Sequence, residues 1–125
     1  MNILVDTHVV LWWLDDPKKL SDKARQLIES LENNIFVSSA VVWEIIIKKS
    51  IGKLKAPNNL LEMLKDEGFI SLSITDQHVI KLEQLPSIHQ DPFDRIQIAQ
   101  ALTEGFTLIT KDEKMLQYDL ACIKA

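Results

Sequence analysis

With 125 residues, 46% of them hydrophobic and 26% charged, the chain suits one packed domain over residues 1–125 that buries roughly two thirds of the surface its unfolded form exposes. Three glycines and four prolines exclude a collagen-like, low-complexity or disordered chain, and the single cysteine, Cys122, excludes a disulfide framework or a cysteine-built zinc cluster. Lys and Arg number 14 against 18 Asp and Glu, for a net charge of −4, so nonspecific adhesion to nucleic acid is not expected and a polyanionic substrate would need a bound cation.

Turn signals recur every ten to twenty residues. Asn2–Asp6 is a short apolar run ending on an acid, which predicts a buried strand, and Thr7–Leu14 continues as an aromatic-rich helical turn stopped by Asp15, Asp16 and Pro17. Leu20–Leu31 predicts a helix capped by Ser21, with Ala24, Leu27, Ile28 and Leu31 along one face. Ile35–Ser38 is a second strand, and Ser38 or Ser39 can cap the next element. Ala40–Ile47 has the β-branched content of a strand, but the serines before it and Lys48 and Lys49 after it favour a helix. Asn58 or Asn59 opens a helix through Leu60, Leu61 and Leu64, with Gly68 as its terminating residue. Phe69–Ile74 comes next as a strand, Thr75–Leu85 as a helix and Pro86–Gln90 as a loop. Asp91 and Pro92 open a helix that runs to Gly105, Thr107–Thr110 is a strand, and a turn at Asp112–Met115 leads to an edge strand near Leu120–Ile123.

Short apolar strands separated by helices predict a three-layer α/β/α fold with a central, mostly parallel sheet of four to five strands. Ligands of such sheets sit beyond the carboxyl ends of the strands. Asp6 ends the first strand, Glu44 lies near the start of the helix after the second, and Asp112 comes within two residues of the fourth, so three acids fall on that edge. Chain order alone does not aim Asp91 and Asp94.

Each acid also has an ordinary structural use. Asp6 and Asp91 suit helix N-caps, Asp94 occupies a first turn where the helix dipole favours a carboxylate, and Asp112 suits a turn. Glu44 is different: it interrupts AVVWEIII, where an unpartnered charge would be costly, which favours a functional role. Several acids on one sheet edge repel one another unless a cation sits among them. Oxygen ligands point to Mg²⁺ or Mn²⁺, and the lack of cysteine ligands or a close histidine pair argues against zinc.

The segments Asp6-Thr7-His8 with Leu11-Trp12, Ser39 with Trp43-Glu44-Ile45, Lys48 with Gly52-Lys53-Leu54, His89-Gln90-Asp91-Pro92-Phe93-Asp94-Arg95 with Ala99-Gln100-Ala101, and Leu108-Ile109-Thr110-Lys111-Asp112 together resemble the PIN-domain family. More closely, they resemble the VapC-type toxin ribonucleases of bacterial toxin–antitoxin pairs, in a subgroup with the DPFDR pattern. The resemblance covers nearly the whole chain. It implies a PIN-like α/β/α fold and a metal-dependent endoribonuclease, with Asp6, Glu44, Asp94 and Asp112 as the catalytic, metal-holding quartet and Asp91 as an additional acid. In that family the acids hold one or two Mg²⁺ or Mn²⁺ ions that activate water against an RNA phosphodiester. The resemblance also implies a cognate antitoxin and a homodimer. An acidic pocket is a natural receptor for a guanidinium, so the antitoxin is expected to carry a basic C-terminal segment.

Supporting roles fall to other residues. Thr110 and Ser38 offer hydroxyls to orient a carboxylate or a water, although capping accounts for them equally. Arg95 can meet a phosphate or pair with Asp91. Lys48, Lys49 and Lys53 lie in an acid-free stretch suited to guiding RNA, or simply to a solvated face. His8 and His89 are acid–base candidates by residue type, and Trp12, Trp13 and Trp43 suit core or interface positions. With no signal-like or membrane-length apolar run, a cytoplasmic chain without membrane contact is expected. Two alternatives remain at this point, a catalytically silent PIN-like partner-binding module and a Mg²⁺-binding receiver-type signalling domain. The latter needs a phosphorylatable Asp after the third strand, where Phe69–Ile74 ends without one.

Overall fold

A computed structural model describes residues 1–125. Five strands, β1 (Asn2–Val5), β2 (Asn34–Ser38), β3 (Ile70–Leu72), β4 (Thr107–Thr110) and β5 (Cys122–Lys124), form one all-parallel sheet in the order β3-β2-β1-β4-β5. Six helices, α1 (Thr7–Asp15), α2 (Asp22–Glu29), α3 (Ser39–Ser50), α4 (Leu60–Asp66), α5 (Asp76–Lys81) and α6 (Pro92–Glu104), cover its faces, with short 3₁₀ turns at Pro17–Lys19, Leu82–Gln84 and Met115–Gln117.

Alternation along the central strand divides the core in two. Ile3 and Val5 of β1 face Val9, Val10, Ala24, Ile28, Val41 and Ile45 from α1, α2 and α3. Leu4, between them, faces the other way with Leu108 of β4 against Ile96, Ile98, Ala99 and Ala101 of α6. Both faces are thus covered, which is why the strands are apolar throughout rather than alternating.

Local chemistry sets the element boundaries. Asp6 does not extend β1 but caps α1, accepting the Val9 amide at 3.0 Å, and the helix runs from Thr7 one residue past the expected Leu14, to Asp15. Ser21 caps α2 as expected, but the helix closes at Glu29, and Leu31 beyond it is fully exposed rather than on the core face. The Ala40–Ile47 stretch is helical: Ser38 accepts the Ala40 amide at 3.0 Å and α3 continues to Ser50. At α4 Asn59 occupies the cap position without a side-chain cap bond, while Asn58 accepts instead from the Lys49 ammonium at 2.7 Å. Gly68, at φ +81°, provides the left-handed turn into β3, and Gly105, at φ +70°, the one that ends α6.

Two predicted elements shorten. β3 keeps only three residues of Phe69–Ile74 because it is an edge strand paired with β2 alone. The Thr75–Leu85 helix splits into α5 and a 3₁₀ turn, its start fixed by Thr75 and His78 in a reciprocal capping box. The last strand, expected near Leu120–Ile123, starts two residues later and ends one later, at Cys122–Lys124. No helix is long and apolar enough to cross a membrane.

Candidate metal centre at the sheet edge

The chain leaves β1 toward β2 on one side of the sheet and later returns to β4 on the other, so the carboxyl ends of β1 and β4 flank the point where strand order reverses. Crevices open at such points. Asp6 comes directly after β1, Asp112 lies two residues after β4, Glu44 projects from the second turn of α3 and Asp94 from the first turn of α6. All four line one cavity of about 230 Å³ with no hydrophobic residue in its wall. Asp91 and Lys48 line it too, as do Thr7, His8 and His89.

Each carboxylate is held in place. Asp6 has one oxygen on the Val9 amide and receives the Thr110 hydroxyl on the other. The same Thr110 oxygen accepts the Asp112 amide at 3.0 Å, so one buried hydroxyl ties two acids together. Asp112 Oδ1 accepts the Lys114 and Met115 amides at 2.9 and 3.0 Å, which leaves Oδ2 for the His89 ring at 3.3 Å. Glu44 is 7% exposed; Thr7 donates its hydroxyl to Oε1 and Lys48 its ammonium to Oε2, each at 2.7 Å.

His89, an acid–base candidate by residue type, is the hub that joins two of the acids. Its Nδ1 accepts the Asp91 amide at 3.2 Å, which leaves the ring proton on Nε2, 2.7 Å from Asp94 Oδ2. Ligating atoms of His89, Asp94 and Asp112 all fall within 4.8 Å of one another. The loop carrying His89 is clamped from behind: Tyr118 accepts the His89 amide at 2.9 Å and donates to the Pro86 carbonyl at 3.0 Å.

Burial and like charge act on these groups together. Burial above all, opposed by bonds from Thr110 and Val9 and reinforced by the charges of Asp112 and Glu44, pushes Asp6 up to about 6. Asp94 is pushed up to about 7 by burial, then by Asp91, with His89 opposing. Burial works to raise Asp112 as well, but the Met115 amide, His89 and the Lys114 amide outweigh it and hold the group below the usual carboxylate value. Burial, then the charges of Lys111 and Lys48, lowers His8. Oxygen donors gathered at this density, two of them reluctant to ionise, are a donor set that fits a hard divalent cation.

Four expected supporting residues lie elsewhere. Ser38 is engaged as the cap of α3 and touches none of the acids. Arg95 makes no pair with Asp91; its guanidinium donates to the Pro86 and His89 carbonyls and to the Tyr118 hydroxyl at 3.1, 3.3 and 3.3 Å, so it is a loop clamp. Lys49 turns to Asn58, and neither it nor Lys53 lines the cavity. Asp91 combines two positions: its Oδ1 caps α6 through the Phe93 and Asp94 amides, and the residue still borders the cavity. Thr7 and Tyr118 carry no functional signal in the sequence beyond the adjacency of Thr7 to Asp6, and nothing local marks Tyr118.

Residues 3–120 match the PIN-domain family. The chain belongs to that family. This PIN domain is 30% identical over 118 residues to ribonuclease VapC22 of Mycobacterium tuberculosis, an overlap of 91% of the present chain and 89% of that protein. Its fold is shared with VapBC2 from Rickettsia felis, solved bound to a DNA fragment from their promoter, at a TM-score of 0.74 and 18% identity over 99% of this chain and 98% of that one. DNA-bound VapBC from Salmonella typhimurium superposes at a TM-score of 0.71, with 15% identity and coverage of 99% and 98%. The strand order of the PIN domain, β3-β2-β1-β4-β5, also removes the receiver-type alternative, whose parallel sheet runs 2-1-3-4-5.

Proposed function

We propose that this PIN domain is a metal-dependent endoribonuclease and the toxin of a bacterial toxin–antitoxin pair, the 125 residues acting as one catalytic unit. The observation that carries the reading is the convergence of Asp6, Glu44, Asp94 and Asp112 on one wholly polar cavity at the switch point of the sheet. Membership of the PIN family and the similarity to ribonuclease VapC22 support the substrate class. A silent binding module would have no use for four oriented carboxylates whose charges oppose one another.

In this reading the four acids hold Mg²⁺ or Mn²⁺. When bound, such an ion supplies Lewis acidity at a phosphate oxygen and lowers the pKa of a coordinated water. The chain's own residues prepare the site. Thr110 fixes Asp6 relative to Asp112, Thr7 and Lys48 fix Glu44, and the His89 ring holds Asp94 and Asp112 at the cavity mouth. Lys48 also brings one positive charge to an acidic cavity that a phosphate strand must enter.

A cognate antitoxin with a basic C-terminal segment fits the same cavity, since a guanidinium can bridge two carboxylates and take the cation's place. Exposed apolar residues on α3 and α5, among them Trp43, Ile46, Val79 and Ile80, suit a protein partner or a second copy of the chain. The purified chain should cleave RNA with Mg²⁺ or Mn²⁺ and stop with EDTA; cleavage that persists in EDTA would remove the metal, and none under any condition would remove the enzyme.

A further inference from the structure

Beside the carboxylates lies a rim on which one cation, Lys111, has no task in the four-acid reading. His8, exposed at the start of α1, borders the cavity, and Trp12 one turn later meets it edge to face with ring centroids 6.3 Å apart at 67°. The Lys111 ammonium, from the segment joining β4 to Asp112, sits 5.2 Å from the centre of the same Trp12 ring. Lys48 reaches the cavity from α3, where one bond to Glu44 leaves it further protons to donate. His8 and Lys48 line the same cavity, and His8 and Lys111 meet the same Trp12 ring, so side chains from α1, α3 and the end of β4 adjoin one another.

Lys111 is the informative member. It is exposed, adjoins Asp112 in sequence, and yet forms no ion pair with it or with any other acid; its contact is the face of Trp12. A lysine free to swing toward bulk water is instead stationed on an aromatic ring next to an acidic cavity. In a protein of net charge −4, such an uncommitted cation at the rim offers a phosphate what the cavity itself withholds.

We propose that Lys111, stationed on Trp12 and flanked by His8 and Lys48, forms a subsite for a phosphate of the RNA strand adjoining the one that is cleaved. The proposal rests on the ribonuclease reading and adds to it how the strand is gripped. Lysine suits the task as a compact point charge that needs no fixed geometry, which favours grip without sequence reading.

The test is steady-state cleavage of a short single-stranded RNA by wild type, Lys111→Gln and Lys111→Arg, with the metal held at saturation. Lys111→Gln should raise KM about tenfold with kcat little changed, as expected when an interaction common to ground and transition states is lost. It should also reduce the slope of log KM against log salt by about 0.7, the value of one phosphate contact on a single strand. Lys111→Arg should restore both. Substrates carrying a neutral methylphosphonate at single positions then identify the contact: one position near the cleaved bond should weaken wild type but leave Lys111→Gln unaffected. Equal losses in both proteins at every position, or an unchanged KM in Lys111→Gln, would overturn the subsite and leave the ribonuclease reading intact. A wild type that cleaves no RNA would remove the reading and the subsite together.

Discussion

Asp6 and Asp112 each have two oxygens, and the structure uses them differently. In both, Oδ1 accepts backbone amides as a helix or turn cap while Oδ2 meets a side chain, Thr110 for Asp6 and His89 for Asp112. Capping therefore does not compete with a role in the site; it locks the rotamer that presents the second oxygen. This is why weighing cap against ligand residue by residue cannot separate the two uses. Crowding has a cost that pH should expose. Asp6 and Asp94 bind protons more tightly folded, at about 6 and about 7, than at the ordinary aspartate value of 3.8. The stability they contribute is complete below that lower value and is lost as pH rises through about 6 and about 7, whereas Asp112, shifted the other way, titrates below this window. The metal-free protein should therefore melt higher at about pH 5 than at about pH 8, and Asp94→Asn should flatten that dependence. Thermal melts across this range in EDTA check it; a midpoint that rises with pH would mean that the carboxylates do not crowd.

At the scale of elements, the helix after Asp91 is the clearest in the sequence, and α6 begins and ends where Asp91, Pro92 and Gly105 put it. Because Asp91 satisfies both the Phe93 and Asp94 amides, Asp91→Ala should cost about 1 kcal/mol of stability and, by freeing the turn that carries Asp94, also reduce cleavage. Denaturant unfolding beside an activity assay reads both, and a variant as stable and active as wild type would contradict the cap. Such local devices are legible because cap, first turn and terminator lie within a few residues of one another. The β-branched run in α3 is ambiguous in sequence for the opposite reason, since its identity depends on the Ser38 cap and on burial of Val41 and Ile45 against the sheet. The clamp of Arg95 and Tyr118 on the Pro86–Gln90 loop is invisible there, because its partners are 23 residues apart and meet only through the fold. Arg95 next to the acids in sequence has the look of a phosphate ligand; in space it faces backbone carbonyls.

For the whole molecule, parallel topology does what no single motif can. It brings residues 6, 44, 94 and 112 to one edge, and the alternation of apolar strands with helices is sufficient to expect three of them there. Asp94 needs the fold, because a helix start can face either way. A cation that binds only the assembled edge must stabilise the fold by mass action, by about 2.7 kcal/mol at a hundredfold excess over its dissociation constant. Millimolar Mn²⁺ or Mg²⁺ should therefore raise the melting temperature at neutral pH, and a midpoint indifferent to both would place the ion elsewhere. Whether the gathered carboxylates perform metal-dependent cleavage of RNA is read from initial rates of wild type, Asp6→Asn and Asp94→Asn on one RNA with saturating Mn²⁺. Each substitution should lower the rate by about 100-fold or more, since charge stabilisation at the site is worth several kcal/mol. Undiminished cleavage by both variants would contradict it.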